Sequence, residues 1–260
     1  MHVTIINDCR DANAAGRQMA RAAGLIGGTV SFVGVASDME AAGNLIDVLD
    51  AYGDAPGAVL VNVAPRNGTA KKWENGTPFG YFRYKNVLVA ASVDGLTLSL
   101  VKKLEVTDAI NVLDIPTVVE KWVRESVLSQ AEGDHIVRTQ FRSYDFLPRI
   151  AAYLLAGGEV PFERLDIAEV ADVPQTVWWV DNFGNCKTTL LPKDIAEKTE
   201  IETAFGTLPY IPMLKDVPDG AAAVTVGSSG LGANRFLEIV VQGGSAAQSL
   251  NVSSGGLLFS

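Results

Sequence analysis

Through residue 157, short apolar runs alternate with stretches in which apolar residues recur every three or four positions. The short runs predict buried strands, and the recurring positions predict helices with one apolar face. Regular alternation of the two indicates an α/β domain whose mainly parallel sheet is covered on both faces. The predicted strands are Val3 to Ile6, Thr29 to Val35, Ala58 to Val63 and Val87 to Ala91, and the predicted helices are Ala12 to Leu25, Met39 to Leu49, Leu96 to Leu104, Ile115 to Leu128 and Phe146 to Leu155.

The pattern changes after Gly157 and Gly158. The next stretch carries prolines and scattered acids, which is typical of a linker. Beyond it, short β-rich runs are separated by Gly, Asn, Asp and Pro, and this pattern predicts a small β-barrel-like domain. We therefore predict an α/β domain over residues 1–157, a linker over 158–172 and the barrel-like domain over 173–260. The β-rich runs are Thr176 to Val180, Cys186 to Leu190, Leu208 to Met213, Ala221 to Val226 and Phe236 to Val241.

Composition narrows the possible partners. The chain has 21 Lys and Arg against 30 Asp and Glu, a net charge of −9, which argues against a nucleic-acid partner bound through counterion release. Its two cysteines and two histidines are dispersed, so no clustered metal site is expected. No apolar run approaches the ~18 residues of a membrane span, and the amino-terminal strand does not resemble a signal peptide. We expect a cytoplasmic protein with reduced thiols.

Polar residues follow two of the predicted strands. Asp8 ends the first strand, and the carboxyl ends of strands in an open α/β sheet line the ligand crevice. A carboxylate there can accept from both hydroxyls of a ribose, although Asp8 can also be read as a helix N-cap. A polar turn with Asn67 and Lys71 follows the third strand. It lacks the phosphate-loop pattern, and it can equally be a solvated loop.

The most specific feature of the sequence is the stretch from Asp181 to Asn185. It combines a carboxylate, the aromatic ring of Phe183 and an amide, which together suit a purine and a cationic group. The same stretch also has the composition of a β-turn. The glycine-rich run at residues 227–232 is followed by a predicted strand, whereas a dinucleotide-binding fingerprint requires a helix there, so we reject that motif.

At this stretch the sequence resembles the S-adenosyl-L-methionine (SAM) hydrolases, or hydroxide adenosyltransferases, whose relatives include the fluorinase and chlorinase enzymes. The family's D-x-F-G-N-x-x-T motif is matched by D-N-F-G-N-C-K-T at residues 181–188. Its late L-E-I-A and G-x-A-A motifs are matched by L-E-I-V at 237–240 and G-S-A-A at 244–247. In the first domain, Asp8 and F-L-P-R-I-A at 146–151 match weaker motifs, so the resemblance covers most of the chain.

The resemblance implies a site for an adenosine derivative. Asp8 would bind the ribose diol, Phe183 would stack on adenine and Asn185 would read the adenine edge. Asp181 and Ser229 would hold the amino group of the methionine part, and Asn67 lies in a turn that would also contact the substrate. SAM would be a substrate or ligand, with no cofactor and no metal. The family forms homotrimers whose sites lie between the first domain of one subunit and the barrel of the next.

The sequence departs from the family at the groups that activate water. The hydrolase loop D-P-G-V-G-T-x-R-R stands here as A-P-R-N-G-T-A-K-K at residues 64–72, so Ala64 replaces the Asp and Lys71 replaces the Arg. The hydrolase F-H-G-R-D stands as F-R-S-Y-D at 141–145, so Arg142 replaces the His. The catalytic group is therefore unknown. The candidates are Lys71, Arg142, Ser143 and Asp145.

Three hypotheses remain open. The chain is a divergent hydrolase releasing adenosine and L-methionine, a binding protein that has lost turnover, or a halide-using adenosyltransferase. Lysine and arginine side chains are protonated near neutral pH and cannot easily accept a proton from water. His135 is expected to be a loop or surface histidine. We therefore expect hydrolysis to be slow or absent.

Overall fold

The computed structural model describes residues 1–64, 77–196 and 198–259. The chain divides into two units, Met1–Ala171 and Asp172–Ser260, which are described separately. The elements of the first unit are β1 (His2–Asn7), α1 (Ala12–Ile26), β2 (Thr29–Gly34), α2 (Asp38–Tyr52), β3 (Gly57–Asn62), β4 (Phe79–Tyr84), β5 (Val87–Ser92), α3 (Ser99–Lys103), β6 (Ala109–Leu113), α4 (Ile115–Arg124), α5 (Gln130–Arg138), α6 (Arg142–Asp145), α7 (Leu147–Leu155) and β7 (Glu163–Asp166).

One mixed sheet organises the first unit, in the order β2-β1-β3-β5-β4-β6-β7. The four strands predicted from the sequence, β1, β2, β3 and β5, pair in parallel. The other three, β4, β6 and β7, pair antiparallel. Strand β4 runs against β5 because only two residues, Lys85 and Asn86, join them, and so short a loop makes a hairpin. The α/β fold class is confirmed.

The carboxyl ends of several strands meet at one edge of this sheet, here called the carboxyl edge. The register pairs Asn7 with both Gly34 and Asn62, so β1, β2 and β3 end together. Val61 pairs with Ala91 of β5, and through β4 the end of β5 aligns with the end of β6. Loops that follow these strands therefore share one surface of the unit.

Helices cover both faces of the sheet. Val3 and Ile5 of β1 belong to a core cluster that also contains Ala22 of α1 and Ile150 of α7. Thr4 points to the opposite face, where its hydroxyl lies 3.3 Å from the phenol oxygen of Tyr52 of α2. Alternate residues of one strand therefore serve two helical layers, as a doubly covered sheet requires.

The segment predicted as a linker is largely ordered on the first unit. Residues 163–166 form β7, which pairs antiparallel with β6 at the edge of the sheet. The Lys102 ammonium then donates hydrogen bonds to the carbonyl oxygens of Ala168 (2.9 Å) and Val170 (2.8 Å). These main-chain contacts explain why the unit extends to Ala171 and not to the glycine pair.

The second unit is a small antiparallel β structure with its own core. A four-stranded sheet has the order β12-β13-β9-β8, and β10 and β11 form a hairpin. Val177, Leu237 and Ile239 lie in the core that the unit buries. Its elements are β8 (Val177–Val180), β9 (Cys186–Thr188), β10 (Glu200–Thr203), β11 (Gly206–Pro209), β12 (Ala222–Leu231), β13 (Asn234–Val241) and α8 (Ala246–Ser249). Across the described part of the chain, no helix combines the length and hydropathy needed to cross a membrane.

Gly80 of β4 provides a test of how closely this strand packs against its neighbouring side chains. A Cβ at this position would lie 2.5 Å from Ile110 Cγ2 and 2.9 Å from Val93 Cγ2. We expect Gly80→Ala to lower the free energy of unfolding by about 1–3 kcal/mol, because overpacking forces the neighbours to move. Urea denaturation followed by circular dichroism measures it.

The matched control is Gly16→Ala in α1, where a Cβ would meet nothing within 4 Å. Alanine in an open helix position should raise stability by about 0.5–1 kcal/mol. If both variants changed stability by the same amount, the close approach at Gly80 would be wrong.

Candidate functional site

The end of β1 holds a buried polar network at the carboxyl edge. The Asn7 amide nitrogen donates to Gln18 Oε1 of α1 at 2.8 Å, and Asn7 Oδ1 accepts from the Cys9 N–H at 2.8 Å. Asp8 follows, and its Oδ2 accepts from the Ala64 N–H beyond β3 at 3.2 Å. The chain leaves β1 towards β2 and later enters β3 on the other side, so Asp8 lies at the point where the strand order reverses.

Asp8 does not cap the following helix. Asp11 is the N-cap of α1, and its carboxylate accepts from the N–H groups of Asn13 and Ala14 at 3.0 Å. The alternative interpretation of Asp8 as the N-cap is therefore wrong. Asp8 is half-buried and bridges the ends of two parallel strands, where α/β proteins bind ligands.

Two candidates from the polar turn after β3, Asn67 and Lys71, lie outside the described residues, as does most of that turn. Ala64 is its one described residue. The structure therefore places the start of this turn beside Asp8 and gives no position for the two candidates.

The other three catalytic candidates lie on the short helix α6. Ser143 lines a small cavity with Gln18 of α1 and Leu60 of β3, so α6 lies next to the Asn7–Gln18 pair. Burial lowers the pKa of the half-buried Arg142 guanidinium. Within the described ranges, no hydrogen bond or ion pair engages this guanidinium. Arg142 thus begins α6 with a half-buried guanidinium.

Asp145 has a partner that the sequence did not indicate. Its Oδ2 accepts from the Thr139 hydroxyl at 2.8 Å and lies 3.3 Å from Nε2 of His135. His135 occupies the last turn of α5, a helix that was not predicted because it buries only Gly133 and Ile136 and is otherwise polar. The expectation of a surface histidine is met by an exposed ring, which is nonetheless paired with a buried carboxylate.

The loop after β5 contributes two buried polar atoms to the same edge. In the part of the chain that the structure describes, Asp94 Oδ2 and Thr97 Oγ1 have no hydrogen-bond partner. The other Asp94 oxygen accepts from the Gly95 N–H at 3.0 Å. Leaving such groups unpaired is costly, so this loop can accept a water or a polar ligand group. No motif in the sequence pointed to it.

In the second unit, Asp181 organises the turn that follows β8. Its Oδ1 accepts from the N–H groups of Phe183 and Asn185, both at 2.9 Å. Its Oδ2 accepts from the Asn185 side-chain amide at 3.2 Å. The carboxylate thus stabilises its own turn, as the β-turn interpretation of this stretch expects, and the ligand site stays a prediction.

Phe183 is presented at the tip of this turn. Phe183 is 71% exposed. The turn is anchored behind the ring, because Gly184 has a φ of +84° and a Cβ there would collide with the Ser245 hydroxyl. The Ala247 N–H also donates to the Gly184 carbonyl at 2.9 Å. The matched motifs at residues 181–188 and 244–247 therefore pack against each other.

Ser229 lies in a buried polar cluster instead of facing an open surface. The Lys187 ammonium donates to Ser229 Oγ at 2.8 Å, to Ser228 Oγ at 3.4 Å and to Glu238 Oε1 at 2.8 Å. The lysine and glutamate side chains are only 13% and 10% exposed. An ammonium already occupies the position beside Ser229 where the resemblance implies the amino group of the ligand.

The thiol of Cys186 does not contribute a reactive group here. Cys186 of β9 is buried, and its burial raises the pKa of the thiol to about 11, with the charges of Asp181 and Glu238 adding to the rise. The thiol is therefore protonated at neutral pH and is a poor nucleophile. Among the described residues, no group of three or more His, Cys, Asp or Glu is arranged to hold a metal ion.

The protein thus combines an α/β unit, which presents a carboxylate where its strand order reverses, with a small antiparallel unit that displays an aromatic turn. Residues 175–258 match the family described as SAM hydroxide adenosyltransferase C-terminal domain. The resemblance to the SAM hydrolase and fluorinase-like family is therefore confirmed over these residues of the carboxyl-terminal domain.

Two solved structures share the fold over nearly the whole chain. An uncharacterized conserved protein from Thermotoga maritima has 18% sequence identity and a TM-score of 0.66, with 98% of each chain covered. A conserved hypothetical protein from Thermus thermophilus has 21% identity and a TM-score of 0.63, covering 97% of this chain and 96% of its own. At these identities the likeness establishes the fold alone. No curated protein matches the sequence.

The Lys187–Glu238 pair is testable as a unit. We expect Lys187→Met to destabilise the second unit by about 3–5 kcal/mol, because it leaves a buried glutamate without its partner. The double variant Lys187→Met, Glu238→Leu should recover most of that loss. Urea unfolding followed by tryptophan fluorescence measures both variants. A loss below about 1 kcal/mol in the single variant is what an exposed pair would show, and it would contradict the burial described here.

Proposed function

We propose that the protein binds SAM by its adenosine part and hydrolyses it slowly to adenosine and L-methionine. The observation that supports this most directly is the match of residues 175–258 to the SAM hydroxide adenosyltransferase C-terminal domain. Within that stretch, the Asp181 carboxylate holds a turn that exposes the ring of Phe183. A binding protein without turnover is the second candidate, favoured by the replacement of the hydrolase Asp and His by Ala64 and Arg142.

The turn suits adenine. The exposed ring of Phe183 offers a flat face, and stacking on an aromatic side chain contributes about 1–3 kcal/mol per base. The Asn185 amide nitrogen is already used by Asp181, which orients the amide and leaves its oxygen to accept from the adenine amino group. The Asp181 carboxylate has about four acceptor positions, of which the turn uses three, so one remains for the ligand's ammonium.

Asp8 is proposed to bind the ribose hydroxyls at the carboxyl edge. Its carboxylate is fixed by the Ala64 N–H at the switch point of the sheet, and this positioning lowers the entropy cost of binding the diol. Ser229 remains a weaker candidate for the methionine part. Lys187 already donates to its hydroxyl, so a ligand carboxylate suits this corner better than a ligand ammonium.

The chemistry requires little from the protein. The sulfonium is a good leaving group, so the site must orient a water in line with C5′ and remove its hydration shell. The cationic groups Arg142 and Lys71 would stabilise a developing hydroxide electrostatically. Both side chains are poor proton acceptors, so the proton of the attacking water must pass to another group. No cofactor is part of this proposal.

Product analysis tests the proposed reaction. Purified protein incubated with SAM, with and without chloride, should release adenosine and methionine in equal amounts, measured by chromatography. Formation of 5′-chloroadenosine would instead identify a halide-using transferase. Tight binding without any product would identify a binding protein.

Calorimetry on two variants tests the adenine site. We expect Phe183→Ala to weaken both SAM and adenosine by about tenfold to a hundredfold, because both ligands lose the stacking contact. Phe162 of the first unit is 51% exposed, and Phe162→Ala serves as the matched control that should change neither affinity. Unchanged affinities in Phe183→Ala would exclude this ring from the site.

Asp181→Asn separates the two roles of the carboxylate. If it also holds the ligand's ammonium, SAM affinity should fall by roughly ten- to a hundredfold, and by more than adenosine affinity. Equal losses for the two ligands would show that Asp181 only shapes the turn.

The cytoplasmic location and the homotrimer implied by the resemblance are part of the same proposal. Light scattering of the purified chain tests the assembly, with a mass three times that of the chain as the expected result.

A further inference from the structure

His135 and Asp145 form a pair in which the carboxylate is buried and the imidazole is open to solvent. The Asp145 side chain is 11% exposed, and the His135 side chain is 67% exposed. The carboxylate is fixed a second time by the Thr139 hydroxyl at 2.8 Å, which in turn accepts from the Phe141 N–H at 3.0 Å. A buried acid that orients an exposed imidazole is the arrangement by which enzymes position a histidine base.

The imidazole lies against the carboxylate at ion-pair distance, with Nε2 of His135 3.3 Å from Asp145 Oδ2. Among the described residues, neither ring nitrogen is used in a hydrogen bond. A neutral imidazole carries a lone pair on one of its two nitrogens, so the exposed ring can accept a proton from outside.

The pair lies at the same edge of the sheet as Asp8. Helix α4 starts at the carboxyl end of β6, and Gly133 of α5 lies against Val119 and Val123 of α4. The connection between the two helices is only residues 125–129, and so short a loop returns α5 antiparallel to α4. The last turn of α5 is therefore at the carboxyl edge. Helix α6 follows at once, and Ser143 shares a cavity with Gln18, the partner of Asn7 next to Asp8.

We propose that His135, oriented by Asp145, is the general base that the replaced hydrolase groups no longer provide, an inference that rests on the proposed function. A water attacks C5′ of the ribose and forms the C5′–O bond. The C5′–S bond breaks, and its electron pair leaves with methionine, which neutralises the sulfonium. The proton of the water passes to the imidazole of His135 and is later released to solvent, so adenosine, methionine and one proton are the products.

The charges around the imidazole are compatible with this role. On α5 its charged neighbours in sequence are Asp134 and Arg138. The elements packed near α5 add Glu120 and Arg124 of α4, Arg142 and Asp145 of α6, and Arg149, whose charge acts on Glu132 of α5. Among the described residues, Asp145 is the acid that lies within 4.0 Å of a ring nitrogen.

Two substitutions at His135 and one control test the proposal. His135→Gln retains a donor towards Asp145 but has no base, and His135→Ala leaves space for added imidazole. Both should lower adenosine release by about 10²–10⁴-fold while SAM affinity, measured by calorimetry, stays within twofold. Imidazole in the buffer should restore part of the rate of His135→Ala. Asp134→Asn, on the same helix, should leave the rate unchanged.

The pH dependence gives a readout that a structural role would not produce. In the parent the rate should fall on acidification, because a protonated imidazole cannot accept a proton. His135→Gln should lose that dependence while its thermal unfolding matches the parent. A parent that releases adenosine with rate and pH profile unchanged in both His135 variants would overturn this inference alone. A parent that binds SAM and releases no adenosine at any pH would overturn the hydrolase proposal as well.

Discussion

The carboxylate of Asp181 is the constraint on which the proposed ligand site depends. By accepting two backbone N–H groups and one side-chain amide, it fixes a five-residue turn that would otherwise have many conformations. The backbone that carries the exposed side chain of Phe183 is therefore fixed. An apolar ring held exposed in this way loses little entropy on binding a purine, which is the physical basis of the proposed adenine site.

The main contribution of the first unit is to bring polar residues together at one edge of its sheet. Parallel pairing of β1, β3 and β5 brings Asp8, the turn after β3 and the loop after β5 to one edge. The helical return through α4 and α5 brings Arg142 and the His135–Asp145 pair to that edge as well. Arg142 and the His135–Asp145 pair thus lie on the side of the unit that carries the proposed ribose contact.

The sequence predicted the parts of the fold whose patterns are strong. The apolar runs of buried strands such as β1 and β5 predicted these strands, and the motif at residues 181–188 was recognisable from the sequence. Strand β7 was placed in a linker because its four residues are mostly exposed and pair on one side only. Helix α5 was missed because two buried residues in nine give almost no periodic signal. The pairing of His135 with Asp145 spans ten positions and a change of helix, and no spacing rule connects them.

The central claim is that the aromatic turn of the second unit binds the adenine ring of an adenosine-containing ligand. A crystal structure of the protein with adenosine bound tests this most directly. We expect the adenine ring stacked on Phe183, with its amino group on the Asn185 side-chain oxygen. Adenosine bound away from Phe183 would contradict the claim.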